Sequence, residues 1–152
     1  MSDKLSHIDN HGNASMVDVS SKPTVRRTAV ACGFFIANTG TLDAIMDGQL
    51  PKGEALSVAR IAGIQAAKSC GMLIPLCHPL PLEFASVDFE RVASTRLQIT
   101  ATAVITGKTG IEMEALTAVT VAALTIWDMT KAIDKDLKIE GIALLSKKKE
   151  EI

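Results

Sequence analysis

The chain has 152 residues, 16 Lys and Arg against 17 Asp and Glu, a formal net charge of -1, 47% hydrophobic residues and 3% aromatic ones. That length predicts one domain burying about 70% of its unfolded surface, so the core needs no disulfide or metal staple. The balanced charge supplies no global field for nucleic acid or acidic membrane, so any phosphate recognition must come from a few placed cations.

Residues 1 to 23 are dense in Asn, Gly, Ser and Asp and predict a flexible arm, with a hint of extended chain only at Met16 to Val19. The arm lacks the apolar run of an export signal, and no stretch of about 20 apolar residues follows, so the expectation is a chain neither exported nor membrane-spanning. Thr24 to Ala37, β-branched and aromatic, reads as a strand, and Thr41 to Asp47 as a short helix closed by Gly48. Gly53 to Cys70 reads as a long helix: Glu54 is in its first turn, Lys68 in its last, Gly71 lies just beyond, and Leu56, Ile61 and Ile64 keep helical spacing. Pro75, Pro79 and Pro81 then place His78 on a stiff loop. Strands at Leu82 to Arg91 and Arg96 to Thr106, a helix over Glu112 to Ile133 and a strand at Leu137 to Leu145 complete the series, ahead of a charged tail over 147 to 152.

Without the short helix the order is β-α-β-β-α-β. The predicted fold is therefore α+β and ferredoxin-like, an antiparallel sheet with helices on one face, over residues 24 to 146. Mean hydropathy is +0.26, carried by aliphatic side chains, which places the excess at subunit contacts and predicts a homo-oligomer. Cys32, Cys70 and Cys77 form no CxxC pair; a disulfide framework or zinc site is not indicated, and a reducing cytoplasm suits them.

Several motifs invite chemistry. Gly107-Lys108-Thr109 is no Walker loop, since Thr102 stands where that pattern needs glycine, yet such a turn can offer N–H groups and an ammonium to an anion. Glu112 and Glu114, two apart on a helix, diverge by about 200° and cannot share a proton; the macrodipole explains acids at a helix start. Asp128 and Lys131 lie one turn apart beneath a nearly uncharged stripe through Thr117, Thr120 and Leu124. They read either as a surface salt bridge or as an acid/base pair whose partial burial would lower the lysine pKa. His78 by itself reads as an ordinary loop histidine, and Arg26, Lys52 and Lys68 as surface cations unless the fold gathers them.

The segments MVDVS (16 to 20), KGEALSVARIAGIQAAK (52 to 68), LIPLCHPL (73 to 80), TGKTGIEMEALTA (106 to 118) and AALTIWDMTKA (122 to 132) resemble the cyclic pyranopterin monophosphate synthases of molybdenum cofactor biosynthesis. The resemblance runs from about Leu5 to Leu145. It implies a lyase that converts 3′,8-cyclo-7,8-dihydro-GTP, supplied by a radical-SAM GTP 3′,8-cyclase, to cyclic pyranopterin monophosphate with release of pyrophosphate. The chain lacks the clustered cysteines of an iron–sulfur enzyme, which agrees with that division of labour. The resemblance further implies Asp128 and Lys131 as the catalytic acid/base pair, and Leu76, Cys77, His78, Glu112, Met113 and Glu114 as substrate-binding residues. Lys52, Lys68 and Arg26 would hold the triphosphate. It implies no required cofactor, though Mg²⁺ could accompany the triphosphate, and a cytoplasmic homohexamer built as a trimer of dimers. Met113 and Asp128, fifteen residues apart, lie roughly 22 Å apart along one helix. Two subunits must then supply the two ends of one site.

Overall fold

The computed structural model describes residues 5–152, so the first four residues of the predicted arm lie outside the described part. The elements run β1 (Val25–Ile36), α1 (Thr39–Met46), α2 (Ala55–Lys68), α3 (Cys70–Leu73), β2 (Phe84–Ala93), β3 (Arg96–Gly107), α4 (Glu112–Thr130) and β4 (Lys138–Glu150). The strands form one sheet in the order β2-β3-β1-β4 with every neighbouring pair antiparallel. The predicted split β-α-β arrangement is thus the one observed.

The sheet divides largely by alternation, interrupted where Cys32 and Val104 are buried as well. Ala29, Ala31 and Phe35 of β1 and Leu97, Ile99, Ala101, Ala103 and Ile105 of β3 are buried in the core with the inner faces of α2 and α4, while Gln98, Thr100 and Thr102 between them are only half-buried. Small residues let the layers close. Ala115, Ala118, Ala122 and Ala123 give α4 a buried face without bulk, and a Cβ on Gly33 would stand 2.8 Å from Val119 Cγ1. Glu54 proves to be the N-cap of α2, its carboxylate accepting from Leu56 N–H (3.2 Å) and Ser57 N–H (2.9 Å). The first long helix ends earlier than expected, at Lys68; Cys70 opens the separate turn α3.

β4 departs from expectation by continuing through the charged run as far as Glu150. Arg26 to Val30 of β1 pair with Ser146 to Glu150 across the sheet edge. Backbone donors and acceptors on β1 need partners there, and lysines are at home on an edge strand because they stay solvated while their backbone pairs. The strand bends on the way, at a register shift where Gly141 adopts φ +63° against Phe34.

Gly63 marks a close contact between α2 and α4. A Cβ there would sit 2.9 Å from both Ala118 O and Val87 Cγ2. In Gly63→Ala, overpacking of about 1–3 kcal/mol outweighs a helix-propensity gain of about 0.5–1 kcal/mol, so the urea midpoint should fall at unchanged m-value. A midpoint equal to or above that of the unaltered protein would contradict this packing.

Candidate active site

The chain brings functional side chains together at both ends of α4. At the N-terminal end the proline-stiffened loop after α3 folds back on it. Gly71 allows this, because a Cβ at that position would stand 2.9 Å from Pro79 Cα. A cleft of about 210 Å³ opens between this loop, the start of α4, the Gly107–Gly110 turn and the N-terminal arm. Leu76, Cys77, His78, Glu112, Met113 and Glu114 all line it.

The two glutamates face the cleft without touching. Glu114 is buried, and loss of water pushes its carboxyl above the usual range, helped by the nearby charge of Glu112. Burial also works against ionised Glu112, but backbone N–H groups at the helix start and Lys147, at 3.0 Å from Oε1, hold its carboxyl below the usual range. Its other oxygen, Oε2, is buried and without a hydrogen-bond partner. Macrodipole stabilisation alone therefore does not account for these acids; each lines a cavity. Burial raises the Cys77 thiol and pushes that of Cys70 up to about 11, the latter 3.4 Å from Thr117 Oγ1.

A basic cavity of about 420 Å³ adjoins the cleft and shares Lys22, Thr109, Gly110 and Glu112 with it. Arg27, Lys108, Lys147 and Lys149 complete its cationic lining. Buried Arg27 shapes the turn, donating to the carbonyls of Gly107 (3.1 Å), Lys108 (2.9 Å) and Gly110 (3.4 Å). Arg26, expected among the phosphate-holding cations, is instead exposed and outside the cleft lining. Strand alternation turns successive side chains to opposite faces, and Arg27 shares the parity of buried Ala29 and Ala31. That parity was the sequence signal for Arg27. Lys147 and Lys149 carried no such signal, because their placement depends on β4 pairing with β1.

At the C-terminal end of α4, Asp128 sits between two ammonium groups. Lys131 Nζ lies 2.8 Å from Oδ1 and Lys52 Nζ lies 3.1 Å from Oδ2, with Lys52 also donating to the Asp128 carbonyl at 2.9 Å. Hydrogen bonds from Lys131 and Lys52, reinforced by their charges, hold the Asp128 carboxyl below the usual carboxylate range. The expected partial burial is absent from the single chain, where the side chains of Lys131 and Asp128 are 56% and 58% exposed. Their stripe of α4 faces away from the sheet, and through Leu124 and Trp127 it is open. Lys68 reaches neither cluster; it borders a hollow that shares Leu80 and Glu114 with the cleft. Among the described residues no three His, Cys, Asp or Glu side chains converge on one metal position, and no helix is long and apolar enough to cross a membrane.

Residues 16–150 match the family model described as the MoaC family. Three similar proteins carry the name cyclic pyranopterin monophosphate synthase. That of Novosphingobium aromaticivorans is 56% identical over 144 residues, covering 95% of this chain and 91% of its own. That of Chloroflexus aggregans is 53% identical over 147 residues (96% and 89%), and that of Clostridium perfringens 50% identical over 148 residues (97% and 94%).

The raised carboxyl of Glu114 fixes a sign for pH dependence. A buried acid whose pKa is higher folded than unfolded costs nothing while protonated in both states, and its penalty grows as pH rises through the folded value. Glu114→Gln should therefore raise the urea midpoint at pH 7 relative to the unaltered protein and lose that advantage at pH 4. An equal effect at both pH values would show that Glu114 is not desolvated.

Proposed function

The chain belongs to the MoaC family, and from that premise we propose that it is a cyclic pyranopterin monophosphate synthase, a lyase of molybdenum cofactor biosynthesis. Its substrate would be 3′,8-cyclo-7,8-dihydro-GTP, received from a radical-SAM GTP 3′,8-cyclase in the cytoplasm, and its second product pyrophosphate. The observation that carries the reading is the Asp128 carboxylate between Lys52 and Lys131.

Opening the imidazole ring of the cyclised nucleotide and closing a pyran ring require proton transfers at several atoms, and expulsion of pyrophosphate requires neutralised charge. Asp128, kept ionised by its two neighbours, is equipped to accept a proton; Lys131, one turn away, is equipped to donate one. Lys52 orients the carboxylate and adds positive charge. The cleft would hold the heterocycle, and the adjoining basic cavity would take phosphates. Lys68 and Arg26 keep a proposed phosphate role at the margin of this region, while buried Arg27 holds the turn that borders the basic cavity. The proposal assigns no resident cofactor, and a Mg²⁺ carried in with the triphosphate is compatible with it.

The two clusters occupy opposite ends of one straight helix, with fifteen residues, roughly 22 Å, between Met113 and Asp128. One nucleotide cannot span both within a chain, so the proposed site joins the cleft of one subunit to the Asp128 end of another, in a hexamer built as a trimer of dimers.

Incubated with the cyclised GTP intermediate, the protein should release pyrophosphate, whereas a protein that only binds the nucleotide would take it up stoichiometrically without product. Lys131→Ala should slow turnover by about 10²–10⁴-fold with oligomer size and circular dichroism unchanged. In a separate test, Asp128→Ala and Glu114→Ala subunits, each inactive alone, should recover activity in mixed oligomers, since some interfaces then pair two intact halves. No recovery in verified heteromers would overturn the shared site.

A further inference from the structure

The mechanism outlined above makes no use of the N-terminal arm. Yet Val17, Val19 and Lys22 form one side of the cleft. Two contacts hold this segment down. His78 Nε2 lies 2.7 Å from the Val17 carbonyl, and Lys108 Nζ donates to the Ser20 carbonyl at 2.6 Å. Between them Asp18 accepts from the Ser20 N–H at 2.9 Å, which closes the arm into a turn.

The first contact settles a chemical question about His78. A carbonyl oxygen can only accept, so the hydrogen must reside on Nε2. In the neutral ring the lone pair then belongs to Nδ1. Among the described residues no protein hydrogen bond reaches Nδ1, and His78 lines the cleft. We propose that the arm is a working wall of the site, in which the Val17 carbonyl is a positioning group that fixes the tautomer and orientation of His78 and so presents Nδ1 to the ligand as an acceptor for an N–H or O–H. The second latch ties the same segment to the Gly107–Gly110 turn, so arm and phosphate-facing turn are held as one unit. The function given to Nδ1 rests on the cleft being the ligand site; the latch itself does not.

Hydrogen–deuterium exchange of the intact, ligand-free protein tests the latch independently of activity, read on peptides covering residues 14 to 22. In His78→Gln the side-chain amide nitrogen reaches the Nε2 position and can still donate to Val17, whereas in His78→Asn it falls at the Nδ1 position and cannot. Arm exchange should stay close to that of the unaltered protein in His78→Gln and rise at least several-fold in His78→Asn. Any other pattern, including equal exchange in the two variants, overturns the latch. ¹⁵N-histidine spectra of the unaltered protein supply a reading that needs no variant: the Nε2–H tautomer is expected for His78, and the Nδ1–H tautomer refutes the proposal. With the cyclised nucleotide, His78→Gln should raise KM several-fold with kcat little changed, because the Nδ1 contact to the ligand is lost while the wall stays closed; His78→Asn should raise KM further. A catalytically silent protein that shows the exchange pattern would keep the latch and reject the enzymatic reading instead.

Discussion

Helix α4 is the constraint from which the rest follows. Its 19 residues, about 28 Å at 1.5 Å per residue, run unbroken across the sheet, pinned by a file of buried alanines and by glycines on the neighbouring elements that admit close approach. A rod packed this way cannot bend to bring its ends together. Chemistry placed at Glu112–Glu114 and chemistry placed at Asp128 are therefore held apart by the same interactions that stabilise the core. The division of the proposed site between subunits would then be a consequence of packing.

The two ends also use different electrostatics. At the N-terminal end burial weighs on both acids: desolvation raises Glu114, whereas backbone N–H groups and Lys147 outweigh it at Glu112 and hold that carboxyl below the usual range. At the C-terminal end solvent is near, and Asp128 is governed by two adjacent ammonium groups. A chain of net charge -1 thus concentrates cations locally, around the Gly107–Gly110 turn and around Asp128. Near-neutral composition and a strongly basic site are compatible because side-chain charges act over short, structured distances.

The sequence revealed what depends on local periodicity and concealed what depends on pairing. Strand and helix order could be read because β1 alternates, α2 carries its cap and C-terminal glycine, and α4 keeps an aliphatic stripe. From the spacing of Asp128 and Lys131 alone, their pairing was legible. Lys52, 76 residues away in sequence, was only a surface cation until the loop before α2 brought it to Asp128. Strand register decided the other differences. Arg27 rather than Arg26 enters the basic cavity, and Lys147 reaches Glu112 because β4 zips along β1 beyond the point where hydrophobicity ends. Charge suggested a tail there; unsatisfied backbone on β1 made a strand, which sequence patterning reports weakly because edge pairing does not require apolar side chains.

The exposure of Asp128 bears on how the proposed site assembles. Leu124 and Trp127 beside it are exposed apolar groups on a helix otherwise packed into the core, the kind of surface that gains by being covered. Covering it would also desolvate one carboxylate and two ammonium groups, leaving a net positive charge in a poorly solvated space. Such burial is costly unless an anion enters with it. A polyphosphate bound across the interface would supply that anion, so that the lysines around Asp128 lose water where the ligand replaces it. On this argument the charged trio remains an ordinary exposed salt bridge in the single chain and becomes a strongly interacting group only between subunits, with ligand present.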